Sequence, residues 1–134
     1  MIITFDLLNS WSFPNPFPKN IRSKTILDKY NNFKNSLDKN DIKIEDYILN
    51  KFLKNKSYNL ILNNYPYNLD ENMTHYVLWI HPDYVVNLTN KKIHELLNNK
   101  MIELNCNQYF CFENNIQSKS VQGVLHYQVF FGKC

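Results

Sequence analysis

The sequence predicts an α+β domain in which N-terminal helices are followed by a mostly antiparallel sheet. Apolar residues first recur at helical spacing, between residues 23 and 54, and then alternate at strand spacing in the second half of the chain. The alternation is clearest in Val121–Phe131 and Thr74–His81. A chain of 134 residues can bury a substantial core, and no linker or repeat divides it, so we expect a single domain over residues 1–134.

The N-terminal segment has a composition unlike the rest of the chain. Met1–Asn9 is compatible with a short strand or with the start of a helix, whereas three prolines exclude a regular helix or a central strand in Ser10–Asn20. Aromatic residues alternate with these prolines, so we expect an extended arm over residues 1–20 that packs on the domain. A proline-rich recognition element is the alternative. The residues concerned are Trp11, Phe13, Pro14, Pro16, Phe17 and Pro18.

Three segments have the spacing of amphipathic helices. Ser23–Leu37 carries a buried stripe, and Ser23 is placed to cap its first turn. Lys43–Lys54 follows after a polar break, and Asn90–Leu97 is a shorter helix later in the chain. Four further segments have the composition or alternation of strands. They are Tyr58–Leu62, Thr74–His81, Tyr109–Glu113 and Val121–Phe131.

The composition is that of a globular protein with a mild positive charge. Hydrophobic residues make up 44% of the chain, and the formal net charge is +3, with lysines spread along the sequence. A nucleic-acid-binding domain usually concentrates its positive charge in one patch, so a nucleic-acid partner is possible but not indicated. Asn, Lys and Ile are abundant, which we attribute to an AT-rich genome such as that of a parasite or a large virus.

The cysteines indicate a reducing compartment. Cys106, Cys111 and Cys134 lack the spacing of a zinc site or of a disulfide framework, so we expect reduced thiols, no metal and no cofactor. The N-terminus lacks the basic start of a signal peptide, and no apolar run reaches membrane-spanning length. These features predict a cytoplasmic protein without a membrane partner.

Two neighbouring strands are expected to bring polar side chains onto one surface. Because side chains alternate between the faces of a strand, His75 and Trp79 share one face, and so do His126 and Gln128. The two imidazoles are expected to exchange protons near neutral pH, and the Trp79 ring can stack on a sugar or a base. The competing interpretation is structural, because a single histidine more often bonds to the backbone and a tryptophan more often packs in the core.

Arg22 is the only arginine in a lysine-rich chain. Its guanidinium group suits bidentate binding of a phosphate or a carboxylate, although a lone arginine can also be an accident of composition. Ser23 adds a hydroxyl group and the backbone N–H groups of a predicted helix start, which favour an anion. Both residues are therefore candidates for ligand binding.

Short motifs recur in a defined order along the chain. They are Ile21-Arg22-Ser23, Tyr30 with Phe33, Asp46–Leu49, Asn64–Tyr67, Thr74–Trp79, Phe112–Asn114 and Ser120–His126. In order and spacing they resemble the fungal N-acetylglucosamine-induced protein family, a domain of unknown function, from about residue 21 to residue 131. The family has no settled reaction, so the resemblance implies binding residues without a mechanism. Those it adds are Asn64, Tyr67, Asn114 and Ser120.

A more distant similarity is to histidine-triad nucleotide-binding proteins, which implies a related fold and a nucleotide phosphate as ligand. In that family a late strand carries alternating histidines, whereas here Val124 and Gln128 flank a single His126. If His126 matches the central histidine, it is a nucleophile and Gln128 is a phosphate ligand, as in the related nucleotidylyl transferases. If it matches the first histidine, Gln128 replaces the nucleophile and only binding remains.

We therefore expect a small intracellular domain that binds a phosphorylated or nucleotide-linked molecule, such as a nucleotide sugar. The first alternative is a phosphohydrolase or nucleotidylyl transferase that uses His126. The second is a non-catalytic interaction protein that binds a host protein or RNA through its aromatic arm and its lysine-rich surface. The sequence makes no prediction of the oligomeric state.

Overall fold

The computed structural model describes residues 2–10, 21–113 and 123–134, and within these ranges the chain forms one sheet with helices on both faces. The strands are β1 (Tyr58–Leu62), β2 (Met73–Ile80), β3 (Gln108–Phe112) and β4 (His126–Gly132). Their spatial order is β1-β2-β4-β3, and every pairing is antiparallel. The predicted α+β class with an antiparallel sheet is confirmed.

The helices of the described residues are α1 (Phe5–Ser10), α2 (Lys24–Lys39), α3 (Ile44–Lys51) and α4 (Asn90–Glu103), with a 3₁₀ helix at Pro82–Asn87. The three helices predicted from periodicity are all present, and the last continues well past its predicted end. In the described ranges no helix is long and apolar enough to span a membrane.

Phe5–Ser10 is helical, which agrees with the helical alternative for Met1–Asn9. These residues are therefore not extended, unlike the arm expected over residues 1–20. The Thr4 hydroxyl group accepts the Leu7 N–H at 3.2 Å, which caps α1, and Leu8 is fully buried. The ring of Phe5 lies so close to Gly132 that a Cβ atom there would clash with it. Core packing therefore decides the local conformation. Residues 11–20, with the prolines, lie outside the described residues.

Side chains alternate along β2 and β4, so the two faces of the sheet pack against different sets of residues. One face of the sheet packs against α4. Its buried residues are Leu78, Ile80, Ile93, Leu97, Cys106, Val129 and Phe131. On the opposite face the register pairs Trp79 with His126 and Val77 with Gln128, which confirms the polar face predicted from alternation. We call this second surface the polar face, and α3 covers part of it through Ile48.

Cys106 and Cys134 form a disulfide bond, whereas Cys111 is a free, half-buried thiol. The expectation of reduced thiols is therefore wrong for the first two. The register of β3 and β4 explains the pairing, because Gln108 lies opposite Gly132. Continuing the antiparallel ladder by two residues brings the two cysteines opposite each other. The cytoplasmic location stays a prediction.

Candidate functional site

A pocket of about 90 Å³ lies on the polar face, between the sheet, helices α2 and α3, and the loop that joins β1 to β2. Several residues proposed from the sequence line it, namely Arg22, Asn64, Trp79, His126 and Gln128. The rest of the lining is mainly aromatic and aliphatic. It comprises Tyr30, Phe33, Ile44, Tyr47, Ile48, Phe52, Ile61, Leu62, Asn63, Tyr65 and Val77.

Arg22 supplies the positive charge of the pocket. Its Nε donates to the Tyr65 carbonyl at 2.8 Å, and its guanidinium carbon lies 4.9 Å from the ring centre of Tyr30 and 5.0 Å from that of Tyr67. One hydrogen bond and two cation–π contacts therefore hold the side chain. In the described parts of the chain, no carboxylate forms a salt bridge with Arg22.

Aromatic rings from the loop and two helices form one side of the pocket, which we call the aromatic wall. The ring centre of Tyr65 lies 5.1 Å from that of Tyr30 and 5.6 Å from that of Phe33. Phe33 also contacts Tyr47 of α3, with 5.0 Å between ring centres. Ring pairs at these separations stabilise packing beyond the area that they bury, so the wall ties the loop to both helices.

His75 lies behind the pocket, fully buried, and is not part of the lining. Its Nδ1 accepts the backbone N–H of Tyr67 at 3.1 Å. A backbone N–H can only donate, so Nδ1 carries no proton in this arrangement. The proton of the neutral ring is on Nε2, which donates to Oε1 of Gln128 at 2.5 Å.

The environment of His75 keeps the ring neutral. Burial lowers the pKa of His75 to about 3, because the protein interior disfavours the charged ring, and the charge of Arg22 acts in the same direction. The expectation that His75 exchanges protons near neutral pH is therefore wrong. The ring instead connects the loop backbone at Tyr67 with the side chain of Gln128. The amide nitrogen of Asn63 lies farther away, 3.5 Å from Nδ1 and 3.4 Å from Nε2.

Two side chains of the polar face, Gln128 and Trp79, carry N–H groups without a hydrogen-bond acceptor among the described residues. Oε1 of Gln128 is bonded to His75, so the amide nitrogen is the end of this side chain that serves the pocket. The indole Nε1 of Trp79 is buried and has no hydrogen-bond partner among the described residues. Both side chains line the pocket, and both N–H groups are suited to an acceptor on a ligand.

His126 lies beside Trp79 in the lining, with 4.7 Å between the ring centres. Its Nδ1 is 3.0 Å from the carbonyl oxygen of Val124. A carbonyl oxygen can only accept, so Nδ1 carries the proton and the lone pair of the neutral ring is on Nε2. No group of three or more His, Cys, Asp or Glu side chains that could hold a metal ion occurs in residues 2–10, 21–113 and 123–134.

Two further sequence-based candidates, Ser23 and Tyr67, are not among the described residues of the lining. Ser23 is exposed, and its hydroxyl accepts the Ile26 N–H at 3.3 Å as the N-cap of α2. Tyr67 is buried and packs against Arg22 and against the His75 ring. Asn114 and Ser120 lie outside the described residues.

Several lining residues were missed by sequence reasoning. Tyr30, Phe33 and Tyr47 follow helical spacing and read as core, and Tyr65 reads as part of a turn. Asn63 was missed as well. Its side-chain Oδ1 accepts the Tyr65 N–H at 2.8 Å, and its backbone N–H donates to the His75 carbonyl at 2.9 Å. The available signal was the set of motifs that carries the family resemblance. These motifs include Tyr30, Phe33, Tyr47 and Tyr65.

Comparisons with known proteins give a family and a fold. The family model described as protein of unknown function (DUF3605) matches residues 14–132, most of the chain. A crystal structure of HTC1 is similar, with a TM-score of 0.61, 19% sequence identity, and coverage of 87% of this chain and 77% of that chain. At this identity the similarity shows the fold alone. Comparison with curated proteins finds no match.

Proposed function

We propose a function for this chain, which belongs to the DUF3605 family of proteins of unknown function: it is a small domain that binds a phosphorylated molecule and holds the phosphoryl group at Arg22. The observation that carries the proposal is the charge of the pocket. Arg22 is the only formally charged side chain among the described residues that line it, and no described carboxylate pairs with it. An anionic ligand would compensate this charge.

The surroundings of Arg22 favour an oxyanion as its partner. The side chain is half-buried between two tyrosine rings, and partial exclusion of water strengthens electrostatic interactions. Because Nε is bonded to the Tyr65 carbonyl, the two terminal nitrogens remain for a bidentate contact. Charge-assisted hydrogen bonds of this kind are roughly twice as strong as neutral ones.

The size of the pocket limits what enters it. Its volume of about 90 Å³ is well below the roughly 300–1,000 Å³ of pockets that enclose a drug-sized ligand. We therefore place only the phosphorylated end of the ligand inside, with the attached sugar or base against the aromatic wall. A sugar phosphate, or the corresponding part of a nucleotide sugar, fits this division.

The test is calorimetry and thermal unfolding with matched pairs of ligands. The panel is inorganic phosphate, glucose and glucose 6-phosphate, N-acetylglucosamine and its 6-phosphate, ADP and UDP-glucose. The amino sugar is included because of the resemblance to N-acetylglucosamine-induced proteins. We expect phosphorylated members, and not the free sugars, to raise the unfolding temperature, because a ligand that binds only the native state stabilises it. No stabilisation by any phosphorylated member at millimolar concentration would refute the proposal.

Substitution of Arg22 tests the residue that carries the proposal. Arg22→Met removes the charge and keeps an apolar stem, so we expect at least a tenfold loss of affinity, about 1.4 kcal/mol. Lys34→Met is the matched control, because Lys34 also lies over Tyr30, 4.6 Å from its ring centre, yet is not part of the lining. Equal losses in both variants would indicate a general charge effect and contradict the assignment.

Catalysis is the second candidate function, because His126 lines the same pocket. In this alternative Nε2 of His126 attacks phosphorus, an N–P bond forms as the bond to the leaving oxygen breaks, and water then cleaves the N–P bond. Intact-mass measurement after incubation with ATP or UDP-glucose detects the adduct. An adduct or turnover that disappears in His126→Ala supports catalysis, and unchanged turnover in that variant excludes it. We favour binding because Val124 and Gln128 flank a single histidine.

A further inference from the structure

We infer that Gln128 and Trp79 are the hydrogen-bond donors that complete an oxyanion site with Arg22, and that His75 is the positioning residue that turns the Gln128 amide toward the ligand. The inference rests on the proposed function and deepens it. It gives Trp79 a hydrogen-bonding role beyond stacking, and it gives a reason for a buried histidine behind the pocket wall.

The direction of the Gln128 amide follows from a backbone group. The Tyr67 N–H can only donate, and it donates to Nδ1 of His75 at 3.1 Å. The neutral ring therefore has its proton on Nε2, which donates to Oε1 of Gln128. Because the amide oxygen is used behind the pocket, the NH₂ group is the end of Gln128 that is available to a ligand.

The indole N–H of Trp79 is a second donor. Trp79 is 7% exposed, and its Nε1 is buried with no hydrogen-bond partner in the described ranges. Buried polar groups are rarely left unpaired, and an unpaired one costs roughly 1–3 kcal/mol. A ligand oxygen within reach of Nε1 would remove this penalty on binding, so the orphan donor is itself an argument for an acceptor in the pocket.

The sheet brings the two donors together. Trp79 pairs with His126, and Val77 pairs with Gln128, so Trp79 and Gln128 are diagonal neighbours on the polar face. Diagonal neighbours are roughly 7–8 Å apart, within reach of each other for long side chains. In a pocket of about 90 Å³, the oxygens of one tetrahedral anion can accept from both donors while Arg22 supplies the opposite charge.

The loop side of the pocket is also arranged to tolerate an anion. Two of its oxygen atoms are engaged in internal hydrogen bonds, which weakens their repulsion of an anion. Oδ1 of Asn63 accepts the Tyr65 N–H at 2.8 Å, and the Tyr65 carbonyl accepts from Arg22 at 2.8 Å. The sheet side therefore supplies the donors, and these two oxygens of the loop side are already paired.

The experiment is an NMR titration of the isotope-labelled full chain with inorganic phosphate, with inorganic sulfate, and with the tightest-binding member of the ligand panel. The indole signal of Trp79 is assigned by its loss in Trp79→Phe, and the side-chain amide pair of Gln128 by its loss in Gln128→Glu. We expect both signals to shift saturably with one dissociation constant for each anion. Glucose is the neutral control and is expected to leave them in place.

Two variants separate these hydrogen bonds from the fold. Trp79→Phe keeps an aromatic ring and removes the N–H, and we expect it to weaken anion binding about tenfold, as for a hydrogen bond to a charged group. Gln128→Glu keeps an acceptor for the His75 Nε2–H but replaces the donor with a carboxylate oxygen, so we expect anion binding to be abolished. Thermal unfolding of the unliganded variants checks that both remain folded.

Positioning by His75 has its own measurement. The ring nitrogen shifts of the unliganded protein are expected to show a protonated Nε2 and an unprotonated Nδ1. The opposite tautomer would overturn the inference. The inference would also be overturned if the wild-type protein binds an anion and Arg22→Met abolishes that binding, yet the Trp79 and Gln128 signals do not shift. The proposed function would then still stand. A wild-type protein that binds no anion in the titration or the panel would overturn the proposed function, and the inference with it.

Discussion

At the scale of single residues, the two histidines of the polar face differ because each has a different backbone partner. The Tyr67 N–H donates to Nδ1 of His75, whereas the Val124 carbonyl accepts from Nδ1 of His126. The Nδ1 of His75 therefore carries no proton, whereas the Nδ1 of His126 carries one, although the two residues lie on neighbouring strands and on the same face. Alternation in the sequence assigns the face of a strand and carries no information about the tautomer.

We expect the free energy of unfolding to fall as the pH is lowered below about 6.5. The pKa of His75 is about 3 in the folded protein, against an ordinary value of 6.5, so the unfolded chain binds a proton that the folded chain excludes. This contribution to stability is fully present above pH 6.5 and is lost as the pH falls toward 3, by up to about 1.4 kcal/mol per pH unit. Urea denaturation at several pH values between about 5 and 7 measures the slope.

The control for this prediction is the exposed His94, whose Nδ1 lies 2.9 Å from the Tyr109 hydroxyl. His94→Gln should retain the pH dependence of the wild type. His75→Gln cannot titrate and should flatten that dependence, even if its overall stability is lower. A slope that is unchanged in His75→Gln would contradict the prediction.

At the scale of elements, the start of α2 combines a helix cap with a binding residue. Ser23 is the N-cap and accepts the Ile26 N–H, while the preceding residue, Arg22, reaches the pocket. Sequence reasoning assigned both residues to a ligand, because a hydroxyl group beside an arginine at a helix start suits an anion. The structure separates them, since the Ser23 oxygen is already used by the first turn of the helix.

Ser23→Ala should lower the free energy of unfolding by about 1 kcal/mol, because one N–H group of the first turn loses its acceptor. Anion affinity should change little, since Ser23 is not in the lining. Urea denaturation measures the first effect and calorimetry with inorganic phosphate the second. Ser23→Asp preserves a capping oxygen and is the matched control. If Ser23→Ala lost affinity for phosphate while its free energy of unfolding was unchanged, Ser23 would have to be part of the binding site.

At the scale of the whole molecule, a disulfide bond links the chain next to β3 with the chain next to β4, the strand pair at one edge of the sheet. The Cys106–Cys134 disulfide joins the segment after α4 to the end of β4 and closes a sequence separation of 28 residues. It lies on the side of the sheet that packs against α4. The pocket is on the opposite face, so the bond contributes to stability without touching the proposed site.

Reduction of the disulfide, or Cys134→Ser, should lower the free energy of unfolding by about 2–4 kcal/mol, because a cross-link restricts the unfolded chain. The affinity for inorganic phosphate should be retained. Urea denaturation with and without a thiol reductant measures the difference. Cys111→Ser is the control, since Cys111 is a free thiol and its replacement leaves the cross-link intact. A wild-type protein whose stability is insensitive to reductant would contradict the prediction.

Several features of the fold and site were predictable from local patterns. The bounds of β1 coincide with the predicted strand, and alternation placed Trp79, His126 and Gln128 on one face, as the β2–β4 register confirms. Arg22 was singled out by its rarity, and it lines the pocket. His75 was assigned to the correct face and to the wrong chemistry, because its burial depends on what packs over that face.

The sequence by itself determined the α+β class, the approximate positions of α2, α3, α4 and the four strands, and the strand face on which the polar side chains of β2 and β4 lie. Those properties follow from periodicities of a few residues along one element. Only the tertiary structure decided the disulfide, the tautomers and the pocket. They depend on contacts between distant positions, such as Arg22 with Tyr65, 43 residues apart, and His75 with Gln128, 53 residues apart. No local pattern encodes such a contact, because it forms only when the sheet register and the packing of the helices bring the two residues together.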